Sequence, residues 1–296
     1  MALTQSDDTK LEIRILVQER DEMADRSTNE TFDASQLKNH TLAHKVYDAV
    51  VKTQSCQKHY ETFCESTQIK NLQSKINYNF KDKLVLTRAF THSSFVHEYN
   101  EEIKSYERLE FLGDSILGAY VSQELFKSFD NFSEGKLSKL KSALVNEDTL
   151  SELSMFLGLD TFVLRGKGEL KEELTNSIKC DVFESLIGAV AVDSSLSDAL
   201  NVLEGIIKLY EKESEKVFFS EQRLVMFDPK STLQEYTMKN FGSLPKYEAM
   251  RVEDKFCVEL WIEGQKKAEA INISKKAAMK EVALNFLNKN KEISKN

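Results

Sequence analysis

The chain is short of the residues that break helices. Its 296 residues include only 2 prolines and 10 glycines. So few turn formers argue against a turn-rich all-β fold and for helices. Long apolar runs are missing too. The longest uncharged apolar stretch near the middle, Ser185–Val192, falls far below the roughly 20 residues of a membrane span. No membrane partner is expected. The opening MALTQSDDTKLE carries acids and lacks the apolar centre of a secretory leader. Cys56, Cys64, Cys180 and Cys257 form no CxxC pair. That excludes a disulfide framework and implies reduced thiols and a cytoplasmic location. The five histidines supply no HExxH motif, although His40 and His44 stand four apart, and this weighs against a zinc hydrolase.

A basic excess is also absent, since the net charge is −8. The charge is uneven, however. From Met226 onward 13 Lys+Arg stand against 10 Asp+Glu, a balance of +3 that leaves −11 on the rest. An acidic body joined to a mildly basic tail calls for an explanation.

What is present divides into segments, and the length fits about two domains. Residues 1–72 read as an N-terminal extension, partly helical or disordered. Within it LEIRILV (11–17) alternates like a short strand, 18–40 are polar, and Leu42, Val46, Ala49 and Val50 recur at helical spacing over 41–53. Residues 73–219 read as helix after helix. FKDKLVLTRAFTHSS puts Leu84, Ala89 and Phe90 on one apolar stripe, and Ser133 is a good N-cap for the helix that follows it. Residues 220–227 form a charged linker. Residues 228–292 change character. A helix with Pro229 in its first turn is followed by about three alternating strands and a helix opened by Ser274. The expected fold class is therefore multidomain: an all-α domain, then a small α+β domain of order α-β-β-β-α.

Acids are collected on two of the helices. In ERLEFLGDSIL, Glu107, Glu110 and Asp114 fall within an arc of about 100° on a helix, opposite Leu109, Leu112, Ile116 and Tyr120. A solvated face explains such an arc by itself. CDVFESLIGAVAV is different, because it is apolar nearly all round and reads as buried. Its charges, Asp181 and Glu184, lie three apart on one side. An ionised carboxylate moved out of water without a partner costs several kcal/mol or more. Either a distant arginine meets these acids or a cation does. Four carboxylates, Glu110, Asp114, Asp181 and Glu184, suit a hard divalent ion, Mg²⁺ above all. Such an ion can hold a phosphate and activate water.

ERLEFLGDSIL resembles the signature of the ribonuclease III family. YNFKDKLVLTRAFTHSS, SEGKLSKLKSALVNEDTL and CDVFESLIGAV are similar to its other nuclease motifs. The tail from DPKSTLQEYTMKNFG to SKKAAMKEVAL resembles its double-stranded-RNA-binding domain, and the likeness covers about three quarters of the chain. The resemblance implies a Mg²⁺-dependent endoribonuclease, with Mn²⁺ as a possible substitute. Such an enzyme cuts duplex RNA to 5′-phosphate and 3′-hydroxyl ends in the processing of ribosomal RNA and other structured precursors. It further implies that Glu110, Asp114, Asp181 and Glu184 are the catalytic metal ligands, with Glu107 and Glu134 as supporting acids. Phe111 would be the apolar knob of a homodimer. Ser231, Gln234 and Glu235 would meet the minor groove of the RNA, and Lys275, Lys276 and Lys280 its phosphates.

Two departures stand in the tail. MRVEDKFCV lacks the Gly-Pro-x-His loop usual between the first two strands, and the glycines usual before the lysine helix are absent. Weaker RNA binding by this domain is expected. Two other readings remain open on the sequence: a non-catalytic RNA-binding relative, and an all-α scaffold with a structural ion cluster. The first has no need of all four acids, and the second leaves the tail unexplained.

Overall fold

A computed structural model describes residues 63–99, 104–166, 168–169 and 172–290. The strand expected at 11–17 and the helix over 41–53 lie outside these residues. The helical part contains α1 (Thr67–Lys75), α2 (Lys83–Arg88), α3 (Ser93–Tyr99), α4 (Glu107–Ser128), α5 (Glu134–Leu144) and α6 (Glu147–Leu157). A 3₁₀ turn at Leu159–Phe162, α7 (Asn176–Asp193) and α8 (Leu196–Ser214) complete it. Short polar side chains start the helices. Ser133 accepts from the Lys136 amide, Asn146 from Thr149 and Thr175 from Ile178, so each N-cap satisfies an amide that has no partner inside its helix.

Helix α7 runs through the middle of the core. Every residue from Val182 to Val190 is buried. It packs on α4, α6, α8, α2 and the 3₁₀ turn. Val182, Phe183, Leu186, Ile187 and Val190 are fully enclosed, each worth about 1.5–3 kcal/mol of transfer from water. A helix apolar on all sides has found neighbours on all sides, as its pattern demands. The apolar stripe expected on α2 needs one correction. Ala89 and Phe90 are buried, but Leu84 is exposed and Leu86 takes the inward place. The Asp82 carboxylate caps the amides of Leu84 and Val85. The helix thus starts at Lys83, and its phase turns Leu84 to solvent.

The tail begins with α9 (Glu221–Phe227) and α10 (Pro229–Phe241). The strands β1 (Lys246–Val252), β2 (Lys255–Ile262) and β3 (Gln265–Asn272) follow, then α11 (Lys275–Lys289). The strands form an antiparallel sheet in sequence order. Val258, Leu260, Ile262 and Ala270 line one face and close a second core with Leu233 of α10 and Val282 and Phe286 of α11. Only Glu253 and Asp254 join β1 to β2, with Glu253 at φ 54°. The connection is as tight as the sequence indicates. The linker is itself helical: Leu224 of α9 joins the helical core, and Val225 packs on the second core. Among the described residues no helix is long and apolar enough to cross a membrane.

Candidate active site

Two glycines bring the acidic helices together. A Cβ on Gly113 of α4 would sit 1.8 Å from the Glu184 carbonyl oxygen, and one on Gly188 of α7 would sit 2.0 Å from that of Leu109. No real side chain fits either gap, so α4 and α7 touch backbone to backbone. Gly113 lies between Glu110 and Asp114, and the residue it meets is Glu184 itself. The crossing therefore gathers two acids from each helix.

Their depth differs. Glu184 is 8% exposed. Asp181 and Glu110 are half-buried, while Asp114 and Glu107 are exposed. Burial, then the charges of Asp114, Glu110 and Asp181, push the Glu184 carboxyl up to about 8. Burial, then Asp181, Glu107 and Asp114, push Glu110 up to about 7. Burial also raises Asp181, against the opposing pull of His92 and a hydrogen bond from Tyr106. Among the described residues, no lysine or arginine makes an ion pair with any of the four acids. Lys179, next to them in sequence, points its Nζ at Met155 Sδ, 3.8 Å away.

Glu152 shows the contrasting case in the same fold. Burial would raise it, but hydrogen bonds from Lys216, Tyr210 and Arg223 bring it down to about 2. That is a structural acid with its cations supplied. Among the described residues the four acids on α4 and α7 pair with no lysine or arginine, and only His92 acts on Asp181, which is the condition a metal ion relieves. Ligand atoms of Cys180, Asp181 and Glu184 lie within 4.8 Å of one another, and the oxygen donors fit a hard divalent cation.

A family model described as ribonuclease-III-like matches residues 82–209, which contain both acidic helices. A solved nuclease domain of ribonuclease III from Campylobacter jejuni is 36% identical, covers 51% of this chain and 99% of its own, and superposes with a TM-score of 0.45. Ribonuclease 3 of Fusobacterium nucleatum is 37% identical over 216 residues, 70% of this chain and 89% of the relative. Ribonuclease 3 of Campylobacter jejuni is 35% identical over 222 residues, 73% of this chain and 94% of the relative. The chain belongs to the ribonuclease III family. It is an endoribonuclease.

Several groups around the acid cluster were not visible in the sequence. Tyr106 ends the loop before α4 and is buried. It lies beside Asp181, and burial, followed by the charges of Asp181, Glu110 and Glu107, pushes its hydroxyl well above the usual phenol range. Its amide donates to the Thr91 carbonyl at 2.9 Å. His92 is fixed beside it: the His92 amide donates to Leu164 at 2.9 Å, and the two rings are 5.8 Å apart. Glu147, in the first turn of α6, adds to the charge on Asp181. Cys180 directs its thiol at Glu184 Oε1. Only the tyrosine had a sequence signal, its place just ahead of the acidic helix.

The two acids expected to play a supporting part separate. Glu107 accepts from Ser105 and acts on Glu110. Glu134 lies exposed in the first turn of α5, accepts from Ser138, and is not among the leading charges on Glu110, Asp181 or Glu184. Phe111 is 76% exposed on α4. In the tail, Ser231, Gln234 and Glu235 share α10. Glu235 is ion-paired with Lys139 of α5 at 3.0 Å. Lys275, Lys276 and Lys280 are exposed at the start of α11, and none of them is in an ion pair among the described residues.

Proposed function

We propose that this ribonuclease III is a Mg²⁺-dependent enzyme for double-stranded RNA, with Mn²⁺ able to replace Mg²⁺. It works as a cytoplasmic homodimer and leaves 5′-phosphate and 3′-hydroxyl ends in processing ribosomal RNA and other structured precursors. The observation that carries the reading is Glu184: a nearly enclosed carboxylate facing three others, with no lysine or arginine paired to it among the described residues. We assign residues 73–219 to the nuclease domain, with Phe63, Ile69 and Leu72 of the 1–72 extension packed onto its core. We assign 220–227 to the linker and 228–292 to the RNA-binding domain.

Glu110, Asp114, Asp181 and Glu184 would hold the cation. When bound, it supplies activation of water and neutralises charge on the phosphate under attack. The protein's own part is positioning. The Gly113–Gly188 crossing sets the spacing of the two acid pairs, and the buried Tyr106 stands beside Asp181. The apolar body of α7 keeps water from the inner side of Glu184. Glu107 and Glu134 support the acidic valley. The exposed ring of Phe111 suits insertion into a second copy of the chain, since a single large apolar side chain so exposed is a natural interface anchor.

Duplex RNA is met through phosphates and 2′-hydroxyls across its minor groove. Ser231, Gln234 and Glu235 offer short polar groups for the groove. Lys275 and Lys276 add their charge to the positive end of α11, with Lys280 one turn on. The two-residue β1–β2 turn leaves no long loop to reach a second groove, so the nuclease dimer carries more of the grip.

The test is cleavage of long duplex RNA with and without Mg²⁺, beside Glu184→Gln. Cleavage is expected only with wild type and metal, with a loss of ~100-fold or more in the variant and RNA binding retained. Equal cleavage by the variant rejects the site, and failure of the wild type to cut any duplex rejects the substrate.

A further inference from the structure

Cys180 is a residue the proposed chemistry does not use. Its thiol is 8% exposed and points into the acid cluster, with Sγ 3.7 Å from Glu184 Oε1. Glu184, equally enclosed, has no cation and, among the described residues, no hydrogen-bond donor other than that thiol. A thiol is no ligand for Mg²⁺, which takes oxygen. An octahedral Mg²⁺ with bonds of about 2.1 Å needs neighbouring ligands ~3.0 Å apart. A tetrahedral Zn²⁺ with a sulfur at about 2.3 Å and an oxygen at about 2.1 Å sets them ~3.6 Å apart. The thiol already stands in hydrogen-bonding contact with Glu184, close to the second spacing, and one ligand atom from each of Cys180, Asp181 and Glu184 lies within 4.8 Å of the others.

We propose that Cys180, Asp181 and Glu184 form a site for a thiophilic divalent cation of the zinc type, and that filling it blocks the hard-ion site sharing two of its ligands. The block rests on the metal-dependent reading of these acids; the thiol site itself does not. Binding is a ligand exchange. A sulfur–metal bond forms, the thiol proton passes to solvent, a water leaves the cation, and nothing is oxidised or reduced. Zinc at low levels would then act as an inhibitor in the presence of excess Mg²⁺, competing for Asp181 and Glu184 with an added sulfur bond.

Full-length protein stripped of metal is titrated with Cd²⁺ alone, and the thiolate-to-cadmium charge-transfer absorption is followed in the ultraviolet. The absorption should drop in Cys180→Ser and in Cys180→Ala and persist in Cys257→Ala, whose thiol lies on β2. The serine variant keeps size and a donor, which guards against a packing defect. In cleavage assays at fixed Mg²⁺, each protein scaled to its own rate without zinc, the inhibitory Zn²⁺ concentration should rise roughly tenfold or more in the Cys180 variants, since even outer-shell changes cost a metal site about 10–100-fold in affinity. An unchanged cadmium absorption or an unchanged inhibitory concentration overturns the proposal. The absorption is read without RNA, so it decides the thiol site even where the cleavage assay goes against the nuclease reading.

Discussion

Glu152 and Glu184 are both drawn out of water, yet they end with opposite ionisation. Three donors hold Glu152 down to about 2, while burial and then like charges push Glu184 up to about 8. Each makes a stability prediction of opposite sign. The folded values of Glu184 and Glu110 lie above the unfolded value of 4.5. The native state therefore keeps protons that the unfolded chain has lost. This stabilisation is complete below pH 4.5 and disappears as pH rises through about 7 and about 8. The melting temperature of metal-free protein should fall over that window. Mg²⁺ should flatten the fall, and Glu184→Gln should remove part of it. A profile that is level without metal would contradict the clustered charges. Glu152 works the other way: its folded value is depressed, so its contribution is present above the unfolded value and is lost as pH falls toward about 2. Glu152→Gln leaves Arg223 and Lys216 without their carboxylate, bonded at 2.8 and 2.6 Å. A loss of about 1–3 kcal/mol in urea unfolding at neutral pH is expected.

Among the elements, the crossing of α4 and α7 does most to make the site, and glycine substitutions test it. Gly113→Ala forces a methyl into the Glu184 backbone. Overpacking of this kind costs about 1–3 kcal/mol or more, and it should depress cleavage further than stability because the acids move apart. Gly118→Ala, on the same helix, meets only the flexible end of Lys141 at 3.5 Å. It should be neutral or gain about 0.5–1 kcal/mol from helix propensity. Equal effects of the two, read by thermal unfolding and single-turnover cleavage, would remove the crossing from the argument. The helices themselves were legible because caps and 3.6-residue periodicity are local signals: Ser133, Ser274 and Pro229 stand where the sequence puts them. Leu84 misled because a short helix gives too few turns to fix its phase. Tyr106 and His92 were hidden for another reason. Their places depend on the Thr91–Leu164 bridge and the amide bond from Tyr106 to Thr91, contacts between loops that have no period.

Across the whole molecule, the proposed function turns the division into acidic body and basic tail into a division of labour. Two exposed ion pairs, Lys136–Glu221 and Lys139–Glu235, tie α5 to α9 and α10. Exposed pairs are worth about 0–1 kcal/mol each and weaken with salt. An RNA backbone can therefore displace Lys139 from Glu235 at little cost, freeing a residue assigned to the minor groove. Among the described residues Lys275, Lys276 and Lys280 have no such protein partner, which leaves them available to phosphate. Each phosphate neutralised releases condensed counterions, which steepens the fall of affinity with salt by nearly one unit of log–log slope on a duplex. Replacing Lys275, Lys276 and Lys280 together by Ala should weaken duplex RNA binding and shallow that slope by ~2–3 units. Thermal stability should hardly change, since all three side chains are exposed. Measured on the Glu184→Gln background with Ca²⁺ or no metal, binding is separated from cutting. An unchanged slope would mean that α11 does not face the phosphates, and the nuclease groove would then carry the electrostatic grip alone.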